Sequence, residues 1–191
     1  ISTGVVSTFA GNPGSYGSTN GTGTSARFKF PQKITTDGTN LYVADTNNHL
    51  IRKIVISTGV VTTIAGTGSA CTSNCDHATG TSASFNQPIG ITNDGTNLYV
   101  VDYGNHRIRK IVISTGAVTT LAGSSLGSTD ATGTSAKFKN PWGITIDGTN
   151  LYVADYGNHK IRKIVITTGV VTTFAGSTSS GSTDATGTSA K

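Results

Sequence analysis

The tetrapeptide Ile-(Ser/Thr)-Thr-Gly recurs at Ile1, Ile56, Ile113 and Ile166, at spacings of 55, 57 and 53 residues, so the chain is a repeat protein. Within one unit the strand signals are Ile91-Thr92, Leu98 to Val101, Ile108 to Ile113 and Ala117 to Leu121. Between them stand Asn93-Asp94-Gly95-Thr96-Asn97, Asp102-Tyr103-Gly104-Asn105-His106 and Ser114-Thr115-Gly116, residues that suit tight turns and positive φ. Four short strands joined by short turns make an antiparallel meander, and repeats of this kind, at about 40 to 45 residues per four-stranded unit, build propellers. The excess length sits in one Gly/Ser/Thr-rich connection per repeat.

Composition agrees with an all-β chain. Ser, Thr, Asn and Gly dominate and weaken helical backbone. The third strand of each unit, His-X-Ile-Arg-Lys-Ile-Val-Ile, does not alternate cleanly between apolar and polar, so both of its faces must be largely covered. Blades stacked face to face around an axis supply that cover and leave only short protected edges.

The units resemble NHL repeats. The tripeptide that gives the family its name stands at Asn48-His49-Leu50, and the wider pattern runs from Phe85 to Lys110 and from Phe138 to Lys163. The resemblance implies a β-propeller of four-stranded antiparallel blades. With strands labelled a to d, three complete blades are expected at 31–66, 88–123 and 141–176, with a solitary strand d within 1–11 (Val5 to Ala10) and a C-terminal connection at 177–191. Lys33 stands where the other units have Gly90 and Gly143, so the first blade is expected to start in a distorted or differently packed way. Known rings typically hold about 4 to 8 blades. Three cannot close one, so either a second chain completes a six-bladed ring or the segment belongs to a longer polypeptide.

The a–b turns (Asp37 to Asn40, Asp94 to Asn97, Asp147 to Asn150) and the c–d turns barely change between repeats and read as geometry. Differences gather at the opposite end of the blades: Thr46, Tyr103 and Tyr156; Leu50, Arg107 and Lys160; Gln32, Ile89 and Trp142. Variation on one end of a fixed frame is the expected mark of recognition, and Trp and Tyr are common binding anchors. These nine residues are the candidate ligand-binding face, which the b–c turns and the long d–a connections would present to a protein or a surface glycan.

The recurring Asp45, Asp102 and Asp155 are expected to bond turn amides and to pair with Arg52, Arg109 and Arg162. The alternative use of those arginines, with Lys53, Lys110 and Lys163, is a basic stripe along strand c able to follow an RNA backbone. A net charge of +5 permits this, but the charge forms no run and no aromatic stacking platform stands beside it, so nucleic acid is not the expected partner.

Cys71 and Cys75 occur only in the second connection and most simply form a local disulfide, which points to an extracellular or cell-surface location. A zinc site drawn from Cys71, Cys75, Asp76 and His77 lacks a second closely spaced ligand pair, so no metal or cofactor is expected. No nucleophile elbow or phosphate-cradling loop is present. The family includes amidating lyases with a channel metal, which leaves a lyase-like propeller as a minor alternative to a non-catalytic scaffold. No stretch approaches the roughly 20 apolar residues of a membrane span, and no signal peptide is seen in a chain that opens inside a repeat at Ile1.

Overall fold

The computed structural model describes residues 4–71 and 78–191. Its strands run β1 (Gly21–Thr22), β2 (Pro31–Thr36), β3 (Asn40–Asp45), β4 (Leu50–Val55) and β5 (Val60–Ala65) in the first repeat. The second contains β6 (Ala78–Thr79), β7 (Pro88–Asn93), β8 (Asn97–Asp102), β9 (Arg107–Val112) and β10 (Ala117–Ala122); the third contains β11 (Ile144–Ile146), β12 (Asn150–Asp155), β13 (Lys160–Val165) and β14 (Val171–Ala175). Each repeat is one antiparallel sheet in which strands a, b, c and d follow in order from β2, β7 or β11.

Two short-range devices hold the meanders. At the a–b turn, Asp37 Oδ1 accepts Thr39 N–H at 2.8 Å and Asn40 N–H at 2.6 Å, while Gly38 supplies a φ of 89°. Tyr42 donates its hydroxyl to Asp37 Oδ2 at 2.8 Å, and burial together with this carboxylate pushes the Tyr42 phenol up to about 12. The same bonds recur at Asp94 with Tyr99 and at Asp147 with Tyr152.

The core lies between sheets. Tyr42, Ala44, Ile51 and Ala65 of the first blade pack with Phe85, Ile91, Leu98, Val100 and Ile111 of the second. Tyr99, Val101, Ile108 and Ala122 pack in the same way with Phe138, Leu151, Val153 and Ile164 of the third. Strand c therefore has one face against each neighbour, which accounts for its unbroken apolar reading.

Two expectations are corrected. Residues 5–10 form no strand, because no strand c lies beside them to accept their backbone bonds. The first blade is not distorted by Lys33: β2 keeps the six-residue length of β7 and the same register shift before Ile34 that β7 shows before Ile91, whereas the shortened strand a is β11, in the blade that has Gly143. The long connections take part in the sheets. β1 pairs with β5 and β6 with β10, adding a fifth strand outside strand d of the blade that each connection leads into, and a single bridge from Thr132 to Val170 does the same in the third blade.

Candidate ligand-binding face

Each b–c turn is one 3-10 turn, Thr46–Asn48, Tyr103–Asn105 or Tyr156–Asn158, ended by a histidine in the left-handed region at φ 56°. The aspartate that closes strand b anchors it. Asp45 Oδ1 accepts Lys29 N–H at 2.7 Å; Oδ2 accepts the Asn48 amide at 2.8 Å and the Arg52 guanidinium at 2.9 Å. Asp155 repeats the set with Lys139, Asn158 and Arg162. Asp102 repeats it with Asn86, Asn105 and Arg109. Every pair is fully buried, and the guanidinium carbons lie 5.1, 5.4 and 5.1 Å from the ring centres of Phe28, Phe85 and Phe138.

Arg52 also donates to the carbonyls of Thr19 and Arg27, and Arg162 to those of Thr129 and Lys137, so each of these arginines bolts the incoming connection to its blade. This burial bears out the expected Asp–Arg pairing and halves the alternative basic stripe along strand c. Arg52, Arg109 and Arg162 face the blade interior at zero exposure, and only Lys53, Lys110 and Lys163 reach solvent in part.

The nine candidate residues divide. Thr46, Leu50 and Ile89 are buried, each about 4% exposed, and cannot meet a ligand; Thr46 instead donates its hydroxyl to Pro88 O of the next blade at 2.7 Å. Arg107 donates to Ser124 O at 3.4 Å and Lys160 to Ser128 Oγ at 2.8 Å, tying both to the connections that follow or precede their blades. Gln32 is exposed at the start of β2, where it lines a cavity on the first blade with Phe28, Pro31 and Ile34. Trp142, Tyr103 and Tyr156 come together: the Trp142 ring is 5.7 Å from Tyr103, edge to face, and 6.1 Å from Tyr156, with Trp142 40% and Tyr156 68% exposed. Two blades thus contribute to one aromatic cluster.

At each of the two junctions a histidine joins the blades. His49 Nδ1 accepts Gln87 N–H at 3.0 Å and His106 Nδ1 accepts Asn140 N–H at 3.2 Å. Burial holds both imidazoles below their ordinary pKa, against the pull of Asp102 on His49 and of Asp155 and Asp102 on His106. The donors, like Phe30 in the first blade, have φ of 51 to 52°. Sequence reasoning passed over these junction groups and the short connection strands. The available signal was Gly-Thr-Ser-Ala, which starts at Gly23, Gly80, Gly133 and Gly187 and marks the connections as parts of the repeat.

Cys71 is buried and disulfide-bonded, while Cys75, Asp76 and His77 lie outside the described residues. Among the described residues no group of three His, Cys, Asp or Glu could hold a metal ion, and no helix is long and apolar enough to cross a membrane.

Comparison with known proteins agrees with this geometry. The NHL repeat pattern matches residues 138–164. NHL repeat-containing protein 2 of Bos taurus is 39% identical over 107 residues, 54% of this chain and 14% of that protein, so the chain spans about a seventh of the relative's length. Among solved structures, an auxiliary nutrient binding protein from Bacteroides thetaiotaomicron superposes with a TM-score of 0.56 at 21% identity, over 73% of this chain and 36% of that one. Virginiamycin B lyase from Staphylococcus aureus does so with a TM-score of 0.52 at 20% identity, over 80% and 43%. At such identities these likenesses concern the fold, which is that of a β-propeller.

Proposed function

We propose that this chain, a member of the NHL-repeat family, is a non-catalytic binding scaffold, and that its ligand is a protein segment or surface glycan held at the Tyr103, Trp142 and Tyr156 cluster. The observation that carries the reading is the convergence of three aromatic rings from two blades with the middle one 40% exposed, since flat amphipathic rings fixed by a rigid frame anchor both sugar rings and peptide side chains. A solved propeller of similar fold is named as a nutrient binding protein, which supports a binding role. A place outside the cell accords with the disulfide at Cys71. In this reading the ring is completed either by a second copy of the chain or by further repeats of a longer polypeptide.

Trp142 is the single tryptophan, so its fluorescence reports directly on the cluster. Screened against immobilised glycans and peptides, the protein should capture at least one class, with a change in tryptophan emission on titration with the soluble form. Tyr103→Ala and Trp142→Ala should abolish capture while leaving thermal unfolding nearly unchanged. Capture that survives both substitutions places the site elsewhere.

A further inference from the structure

The aromatic cluster continues into a path with a direction and a charge. Trp142 stands just before β11, and from it the surface runs outward over the b–c turn Tyr156–Asn158 to the connection that enters the same blade. The turn carries that connection: Asn158 donates its amide to Gly127 O at 2.7 Å, and Gly127 N–H donates to Phe138 O at 3.0 Å. Leu126, the residue before Gly127, is thereby held at the same end of the blade as Trp142, and it is 57% exposed.

Two lysine stems cross this path. A Cβ on Gly157 would meet Lys139 Cγ at 2.7 Å and one on Gly127 would meet Lys137 Cδ at 2.8 Å, so each glycine leaves room for a lysine to pass. Lys137 and Lys139 are exposed, and Lys160 reaches the same connection through Ser128 Oγ. Among the described residues none of the three pairs with a carboxylate. Asp155 is buried against Arg162, with which Asp130 also pairs. Asp147 stands beyond the far end of the six-residue β12, about 20 Å away, where salt with a screening length of about 8 Å hides it.

The rings themselves are not a flat platform. Trp142 lies at 86° to Tyr103 and at 49° to Tyr156. A sugar ring stacks on one open, flat ring face, whereas an apolar side chain fits between tilted rings. Leu126 further along the path gives a second apolar contact, of a kind that suits a peptide side chain and not a sugar.

We propose that, given the binding role of the Tyr103, Trp142 and Tyr156 cluster on which this rests, its ligand is an acidic protein segment that seats one apolar side chain at Trp142 and another at Leu126 and sets carboxylates against the lysines between them. Each exposed lysine–carboxylate contact is weak by itself. The charge selects the partner and speeds its approach, while the apolar contacts hold it.

The test is a displayed library of random peptides of about twelve residues, panned on the full chain. The most enriched peptide is then synthesised, labelled, and titrated with the protein by fluorescence anisotropy. Lys137→Ser with Lys139→Asn copies Ser84 and Asn86, which hold the same places in the second blade, and so keeps the turn, as circular dichroism would verify. The expected result is enrichment of Asp and Glu around one or two apolar residues. Affinity should fall at least about tenfold when the carboxylates of the peptide are made amides, and again in the doubly substituted protein, and should vanish in Trp142→Ala. Peptides that need Trp142 but show no acidic bias, or that bind the doubly substituted protein equally well, overturn the acidic class and leave the cluster as the site. Failure of the peptides, with labelled oligogalacturonate captured in a Trp142-dependent way, overturns the protein ligand and leaves the cluster as a glycan site. Capture that is indifferent to Trp142→Ala, or no capture of either probe, overturns both this proposal and the cluster's binding role.

Discussion

The second and third blades have nearly the same sequence and different surroundings. Tyr99, Ile108 and Ala122 of the second are fully buried against the third; their counterparts Tyr152, Ile161 and Ala175 meet no further blade among the described residues and are partly or well exposed. The hydrogen bonds inside the sheets hardly differ, since both blades keep the six-pair b–c ladder and the buried Asp–Arg pair. A blade therefore owns its meander and its ion pair, while its core is half the property of the next repeat. This is the quasi-one-dimensional stability expected of stacked repeats.

The largest effect should ignore the difference between the blades. Arg109→Ala and Arg162→Ala each leave a buried carboxylate uncompensated and cut the bonds that hold it in place, so each should cost about 3 to 5 kcal/mol in denaturant unfolding. A clear excess at Arg109 would mean that the ion pair, too, depends on the neighbouring blade. The apolar pair should separate the blades instead: Ile108→Ala should cost about 2 to 4 kcal/mol and Ile161→Ala less than about 1 kcal/mol, measured where the protein is a single chain. Equal losses would show that Ile161 is covered in solution.

Glycine sharpens the contrast at the inner strands. A Cβ on Gly90 would meet Trp142 O of the third blade at 2.6 Å, whereas on Gly143 its nearest neighbour is Ala154 Cβ at 3.7 Å. Gly90→Ala should lose about 1 to 3 kcal/mol by forcing two blades apart, and Gly143→Ala should be close to neutral. Thermal unfolding of the two variants side by side decides it.

What the sequence disclosed follows the same division. Turns, strand order and the Asp–Arg pair were legible because their partners lie within one repeat, as with Asp45 and Arg52. Thr46, Leu50 and Ile89 differ between repeats yet are buried, so variation between repeats does not by itself mark a surface. At the first of them the residue meets a different partner in the next blade each time: Thr46 bonds Pro88 O, while Tyr103 in the same place packs edge-on against Trp142. The connection strands were missed because β1 and β6 are two residues long and show no periodicity of their own.

The smallest effect is the most specific to the junctions. His49 and His106 each accept a backbone N–H from the following blade, and burial holds both imidazoles below the ordinary 6.5. The neutral form is the one the fold prefers. The stability these bonds contribute, about 1 kcal/mol each, is therefore complete above about 6.5 and is lost as pH falls through the depressed folded values, because the unfolded chain takes up the protons first. Melting temperature should drop between pH 7.5 and pH 5 in the unsubstituted protein, and the drop should shrink in His106→Phe, which removes both the acceptor and the titration. An undiminished drop in that variant would mean that other groups set the acid sensitivity and that the second junction does not depend on its histidine.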